Sequence, residues 1–370
     1  MLAITLLLFV ACKSDGSEGG TATTASDTEK KTPTISYTGS PYTFYTNVAI
    51  STQTPTITGS NITGCSVAPT LPTGLTLNAT TCAISGTATA TQVATTHTVT
   101  VTNADGNGTT TISVTVTTPP APTVSYSGSP FMLVMGQAMT AINASLSLSG
   151  LSVTGCTVSP ALPSGMSISN TTCNITGTPT VSANATSHTI TVSTSSGSGT
   201  ATISILTGKR IFVTATAYNG NLGGISGADA KCASDTNKPA TGTYKAYIID
   251  GTNRRVCSVN WCSDASQFVD WVTTPNRNYI RADQSLLIGQ GGPNGILSSL
   301  TNGIGAATSS VWTGFYLSYT TASSGSCNEW TSSSAAVNGN KGDAQSTGNT
   351  HFNDSPVACN NTVRLYCVEQ

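Results

Sequence analysis

The chain has 370 residues, room for two or three domains that each bury a core, and only 8% of them are charged, against about 25% in a typical soluble protein. A formal net charge of −1 provides no field that would gather nucleic acid or an anionic membrane surface. Wholesale disorder is excluded too, because it requires low hydrophobicity together with high net charge.

The charge is partitioned along the chain. Residues 13–32 hold three Lys and four acids, residues 33–207 hold Asp105 alone, and residues 208–370 hold eleven Lys or Arg and ten Asp or Glu. This pattern predicts a tail, a neutral stalk and a more ordinary globular head.

Leu2 to Ala11 form an apolar run of about ten residues, too short to cross a bilayer as a helix and as long as the apolar core of a signal peptide. "FVAC" then follows the lipobox pattern of bacterial lipoproteins: a bulky residue, two smaller ones and the cysteine that receives lipid. Residues 1–11 therefore read as a lipoprotein signal peptide, Cys12 as the lipidation site, and 12–32 as a flexible tether between the lipid and the first domain. Export places the remaining cysteines in an oxidising compartment. They number ten: Cys65, Cys82, Cys156, Cys173, Cys232, Cys257, Cys262, Cys327, Cys359 and Cys367. An even count there predicts disulfides. Zinc is not expected, since no closely spaced CxxC pairs occur and the three His are far apart.

Two copies of one unit follow, over residues 33–118 and 119–207. "ISYTGSPYTF" near residue 35 recurs as "VSYSGSPFML" near 124. "GCSVAPTLPTGLTLNATTCAISGTAT" recurs as "GCTVSPALPSGMSISNTTCNITGTPT", displaced by 91 residues. Within each copy the period is two: Val99 and Val101, then Ile112, Val114 and Val116, alternate with Thr or Ser around a Gly-rich "ADGNG" turn. Short alternating strands bounded by Gly and Pro predict an all-β Ig-like sandwich in each copy. Cys65 and Cys82 are 17 apart, as are Cys156 and Cys173, so one bridge is expected within each domain. His97 and His188 occupy equivalent places in phase with the apolar face, which makes them structural. The "LPTGLTLNATTCAISGTAT" and "LPSGMSISNTTCNITGTPT" stretches resemble the hallmark of the bacterial putative-Ig family, and that resemblance implies a spacer role.

From residue 208 the pattern is mixed α+β. "SGADAKCASD" reads as a short helix and "GTYKAYIID", "SSVWTGFYL" and "TVRLYCVE" as strands. A second helix is predicted over "SDASQFVDWV", capped by Ser263 or Asp264, with Phe268, Trp271 and Val272 on one face. "GISGADAKC", "GTYKAYI", "SVWTG", "SCNEW" and "ACNNTVRLYCVE", in that order, resemble endostatin, the C-terminal module of certain basement-membrane collagens, whose fold is a C-type-lectin-like variant. With the lipobox and the Ig-like repeats, the whole chain resembles the leptospiral endostatin-like outer-membrane lipoproteins.

The resemblance implies nested bridges Cys232–Cys367 and Cys327–Cys359, and Cys257–Cys262 then pair by elimination. It also implies a heparin-type arginine face, for which Arg254, Arg255, Arg277 and Arg281 are the candidates, with Asp250, Asp264, Asp270 and Asp283 nearby to blunt its field. The histidines that bind zinc in endostatin have no counterpart in "TGKRIFVTAT". For calcium, "CNEW" (Asn328, Glu329) and "HFNDSPVAC" (Asn353, Asp354) are the nearest approaches to a lectin site, and both read more simply as turns. No GxSxG, HExxH or phosphate-cradling loop is present, and His351 is the head's one His, so an enzyme is not expected and no cofactor is implied. The expectation is a surface-exposed, lipid-anchored outer-membrane protein whose head binds host extracellular-matrix or plasma proteins such as laminin, fibronectin, complement regulators or plasminogen. The alternatives are a carbohydrate- or glycosaminoglycan-binding module, and an envelope protein with no host ligand. Nucleic acid is not an expected partner.

Overall fold

Alternation of buried Val or Ile with Thr gives a strand one wet and one dry face, and the repeats are built from that pattern. In the computed structural model, which describes residues 31–258, 262–263, 265–305, 307, 309–316 and 325–370, the chain divides into two compact units, Met1–Thr117 and Thr118–Gln370. Cys12, the signal peptide, nearly all of the tether and Asp264 lie outside the described residues.

In the first unit β1 (Tyr42–Tyr45), β2 (Gly64–Ala68), β3 (Gln92–Asn103) and β4 (Gly106–Thr117) form one sheet in the order β1-β4-β3-β2. β3 and β4 make a hairpin whose turn is tied by Asn103: its Oδ1 accepts from the amides of Asp105 (2.9 Å) and Gly106 (3.1 Å). Val99, Val101, Ile112, Val114 and Val116 are buried against Ile35, Leu75 and Ile84 from the opposing short strands. Cys65 on β2 is bonded to Cys82, Cα–Cα 5.3 Å. His97 is fully buried, and its Nδ1 lies 2.9 Å from the Pro69 carbonyl. A carbonyl only accepts, so Nδ1 carries the hydrogen and Nε2 is left to accept from Gln92 Nε2 at 3.3 Å.

The second repeat restates this plan with β5 (Phe131–Val134), β6 (Gly155–Ser159), β7 (Ala183–Thr194) and β8 (Gly197–Val213), and with a Cys156–Cys173 disulfide. His188 again bonds the carbonyl of a proline, Pro160, at 2.9 Å. Ala183 stands where the first repeat has Gln92, so His188 Nε2 is buried without a hydrogen-bond partner.

The two repeats differ on the outward side of the first strand and its partner. In the first, Thr43 pairs with Thr115 and Tyr45 with Thr117; in the second, Met132 pairs with Leu206 and Val134 with Gly208. Polar positions have become apolar because this face is covered. β8 does not stop at the end of the sandwich but runs on to Val213 inside the head, so the sequence boundary at 207/208 falls within a strand. Val134, Leu206 and Ile280 are buried together, with Met132 and Leu287 packed against them. Asn278, 1% exposed, locks the seam: its amide donates to Ser182 Oγ (2.8 Å), and its Nδ2 to the carbonyls of Ala183 (2.9 Å) and Thr207 (3.3 Å). A Cβ on Gly208 would sit 2.6 Å from the Asn278 carbonyl oxygen, so only glycine admits this approach. The second repeat and the head are one body.

In the head the chain continues through α1 (Gly224–Ser234), β9 (Tyr244–Ala246), β10 (Asn278–Arg281), β11 (Leu287–Gln290), β12 (Ser310–Trp312), β13 (Asn338–Asp343), β14 (Ser355–Ala358) and β15 (Arg364–Glu369). β15 is the hub: it pairs with β8, β9 and β12, while β13 and β14 extend the sheet beyond β12 and the β10–β11 hairpin attaches to β8. Disulfides Cys232–Cys367, Cys327–Cys359 and Cys257–Cys262 staple it. The helix expected over "SDASQFVDWV" is corrected. Among the described residues of that span Ala265–Gln267 form a 3-10 turn and the chain after them is not helical, because Val269 exchanges both backbone hydrogen bonds with Arg255 (3.1 Å each) and Asp270 has φ 42°, neither compatible with a continuing helix. Phe268, Trp271 and Val272 still pack into the core.

Candidate functional site

The four candidate arginines do not form one face. Arg254 is fully buried, so it belongs to no ligand-facing surface. Its guanidinium grips both oxygens of Asp229 on α1 (2.8 and 2.7 Å), donates to the Ala246 carbonyl on β9 (2.8 Å), and reaches Asp270, which Lys245 also holds. Burial pulls against its charge, but the bonds and charges of Asp229 and Asp270 outweigh that and hold its pKa above the ordinary value. Desolvation works against the Asp270 carboxylate as well, yet Lys245 and Arg254 hold its pKa low. This is a rivet joining helix, strand and loop. Asp250 receives the amides of Thr252, Asn253 and Arg254 (3.0, 2.8 and 2.9 Å) and so shapes the approach to it.

Arg255 is half-buried and donates Nε to the Gln267 carbonyl at 3.4 Å. Arg277, half-buried, sits in the turn before β10. Arg281 is paired with Asp283 (3.1 Å) and donates to Ser285 Oγ (2.6 Å). Arg281 borders a concave surface.

"CNEW" is not an ordinary helical turn. Cys327, Asn328, Glu329 and Trp330 all have positive φ (50, 56, 55 and 62°), one turn of left-handed helix that costs about 1–2 kcal/mol per residue. The Cys327–Cys359 bridge and the buried Trp330 indole, donating to the Ile249 carbonyl at 3.0 Å, hold it in place. Asn328 and Glu329 are thereby displayed to solvent, with Glu329 accepting from Thr252 Oγ1 at 3.1 Å. In "HFNDSPVAC", Asp354 pairs with Lys341 at 2.6 Å. Among the described residues no group of three or more His, Cys, Asp or Glu gathers in a way that would hold a metal ion.

Two concave regions border the strand that enters the head. A cleft of about 470 Å³ opens where the second repeat meets it, walled by Phe131, Leu133 and Met139 on one side and Arg210, Thr241 and Gln284 on the other. Arg210 offers no free charge there, because Glu369 takes it at 2.9 Å in a buried pair. Further along, two adjoining cavities of about 470 and about 300 Å³ share Val213, Asn237 and Gly305, with Arg281 in the first and Arg364 in the second. Sequence reasoning passed over Arg364. Its signal was a lone cation in the apolar strand "TVRLYCVE". The apolar seam of the second repeat was also missed, although setting Met132 and Leu206 beside Thr43 and Thr115 reveals it.

Residues 21–118 and 114–208 each match the family described as "Putative Ig domain", and residues 215–347 match one described as "Protein of unknown function (DUF1554)". No curated protein matches the chain. Among solved structures, a chimeric titin Z1Z2 carrying an exogenous decorin peptide is 15% identical, covering 48% of this chain and 98% of its own at a TM-score of 0.34. Immunoglobulin domains 1–5 of Sidekick-1 are 11% identical over 47% of this chain and 39% of theirs, TM-score 0.33. Domains 4 and 5 of the S-layer protein SbsC are 15% identical over 48% and 98%, TM-score 0.30.

Proposed function

Because the chain belongs to the putative Ig domain family through residues 21–208 of its 370, we propose that it is a surface-exposed bacterial lipoprotein whose Ig-like repeats present a C-terminal binding head. Cys12 carries the lipid, and the protein sits at the outer membrane. The head is endostatin-like, a reading drawn from the ordered motifs that run from "GISGADAKC" to "ACNNTVRLYCVE". Its partners are host extracellular-matrix or plasma proteins, with laminin, fibronectin, plasminogen and complement regulators as first candidates.

One observation carries this reading: the second repeat has exchanged Thr for Met132 and Leu206 so that the head is seated in a fixed pose. A spacer with no load to present has no use for such a seam. The test is solid-phase binding of the full chain to each candidate, with fragments 118–370 and 31–117 as competitors. Saturable binding displaced by 118–370 alone supports the proposal. No saturable binding, or displacement by 31–117, overturns it. The arginine set behind a glycosaminoglycan reading is weakened by the burial of Arg254.

A further inference from the structure

Resting on the reading that the head is the binding element, we propose that the groove beside the end of β8 takes an extended, carboxylate-bearing segment of a partner protein. The groove exists because β10 leaves β8 early. The two strands pair only from Lys209 to Ile211, the Ala282 amide bonds the Ile211 carbonyl (3.1 Å), and the chain then turns away through Asp283. β8 runs on through Phe212 and Val213 with β15 along one side. On the other side the Val213 carbonyl faces the groove, where the exposed Asn237 side chain meets it at 3.0 Å.

This floor is apolar, from Phe212, Val213 and Ile304, with Pro239 and Ala282 in the walls. With the edge carbonyl of Val213 taken by Asn237, what suits an extended peptide here is the apolar floor, which receives its alternate side chains. Gly305 keeps the wall thin, since a Cβ there would lie 2.8 Å from that of Ala344.

Charge selects the occupant. Arg364 fixes one guanidinium nitrogen on the carbonyls of Thr214 and Ala215, and no ion pair with a carboxylate forms among the described residues. The nearby Asp235 carboxylate is spent on the amides of Ala215 (2.9 Å), Thr216 (3.3 Å) and Asn237 (2.9 Å). At the other end Asp283 already neutralises Arg281. Among the described residues Arg364 is thus the groove's one cation with no direct carboxylate partner, held on carbonyls, with Nε and the second terminal nitrogen left to meet a planar acceptor. A guanidinium so placed favours a carboxylate, which it binds with paired donors.

The probe is a fluorescein-labelled octapeptide of alternating Glu and Val, followed by anisotropy against the full chain. Saturable binding is expected, weakened at least tenfold by Arg364→Gln and by Ala307→Glu, which sets a negative charge on the exposed groove wall without removing any hydrogen bond of the fold. Arg255→Gln, away from the groove, should leave affinity unchanged. Equal weakening by Arg255→Gln, equal binding of the Lys–Val octapeptide, or displacement by hyaluronate but not by unlabelled peptide would each overturn the proposal. If the full chain captures laminin or fibronectin undiminished by Ala307→Glu, the groove fails while the adhesive reading stands.

Discussion

Returning the seam of the second repeat to the residues of the first should release the head. The double substitution Met132→Thr, Leu206→Thr restores the Thr–Thr pair that the first repeat carries at Thr43 and Thr115. That pair sits in a folded sandwich, so the second sandwich should keep its own core of Ile190, Val192, Ile203 and Ile205. The loss falls on the junction. Leu206 is 5% exposed, and removing its buried methyl groups while burying a hydroxyl costs about 2–3 kcal/mol, with about 1 more from the half-buried Met132. Asn278 retains its three bonds across the seam, worth about 1 kcal/mol each, so adding Asn278→Ala should complete the uncoupling. Differential scanning calorimetry of residues 118–370 reads this directly. The wild type should melt in one transition and the triple variant in two, with the sandwich transition largely unmoved. A single transition with unchanged Tm in the triple variant would refute the idea that this seam makes one body of the two.

Other perturbations test the head itself. Arg254→Ala should lower stability by about 2–4 kcal/mol in urea unfolding, since it leaves a buried void and deprives Asp229 of its partner, while Asp270 keeps Lys245; a loss below about 1 kcal/mol would make the rivet ornamental. Burial holds the pKa of His351 down at about 4 against its ordinary 6.5, so the folded head keeps it neutral while the unfolded chain takes a proton. Its contribution is therefore present above pH 6.5 and drains away as the pH falls toward 4, by about 3 kcal/mol in all. His351→Gln should flatten that part of the urea midpoint's pH profile, and an unaltered acid slope would exclude this residue as its source. Removing Cys232–Cys367, which closes 135 residues, should cost about 5 kcal/mol, and Cys257–Cys262, which closes 5, about 2; paired Ser variants reversing that order would contradict the chain-entropy account.

The repeats were the most legible part of the sequence because their information is local. Val99, Val101 and Ile112 alternate with Thr at the strand period, and a 91-residue displacement carries each position onto its twin. Even the seam was written there, but as a difference between copies, whereas a search for repeats attends to what is the same. The head resisted for the opposite reason. Phe268, Trp271 and Val272 have helical spacing, yet a backbone exchange between Val269 and Arg255 decides their conformation, and nothing near residue 269 announces a partner fourteen positions away. Arg254 next to Arg255 looked like half of a basic face. One of the two is in the core because Asp229, twenty-five residues upstream, arrives on α1 to receive it.

The partition of charge in the sequence then has a structural meaning. All six ion pairs among the described residues join side chains of the head. The sandwiches fix themselves with strand ladders, disulfides and turns, and can be neutral. The head has short strands and long loops, and it uses Arg210–Glu369, Arg254–Asp229 and Lys341–Asp354 as fastenings. Five of its eleven cations and five of its ten acids are thus committed to ion pairs within the fold, and a count of arginines overstates what is available for recognition. Of the cations in the head without a carboxylate partner among the described residues, Lys231 and Lys238 lie over the rings of Tyr218 and Tyr244, Lys209 reaches the Gln370 carbonyl at 2.7 Å, Arg255 holds the Gln267 carbonyl at 3.4 Å, and Arg277 is half-buried in the turn before β10. Arg364 differs in lining a concave, partly apolar surface with donors to spare. On the proposal that Arg364 meets a partner's carboxylate, affinity for an acidic partner should fall less steeply with added salt than a basic face of several arginines would require.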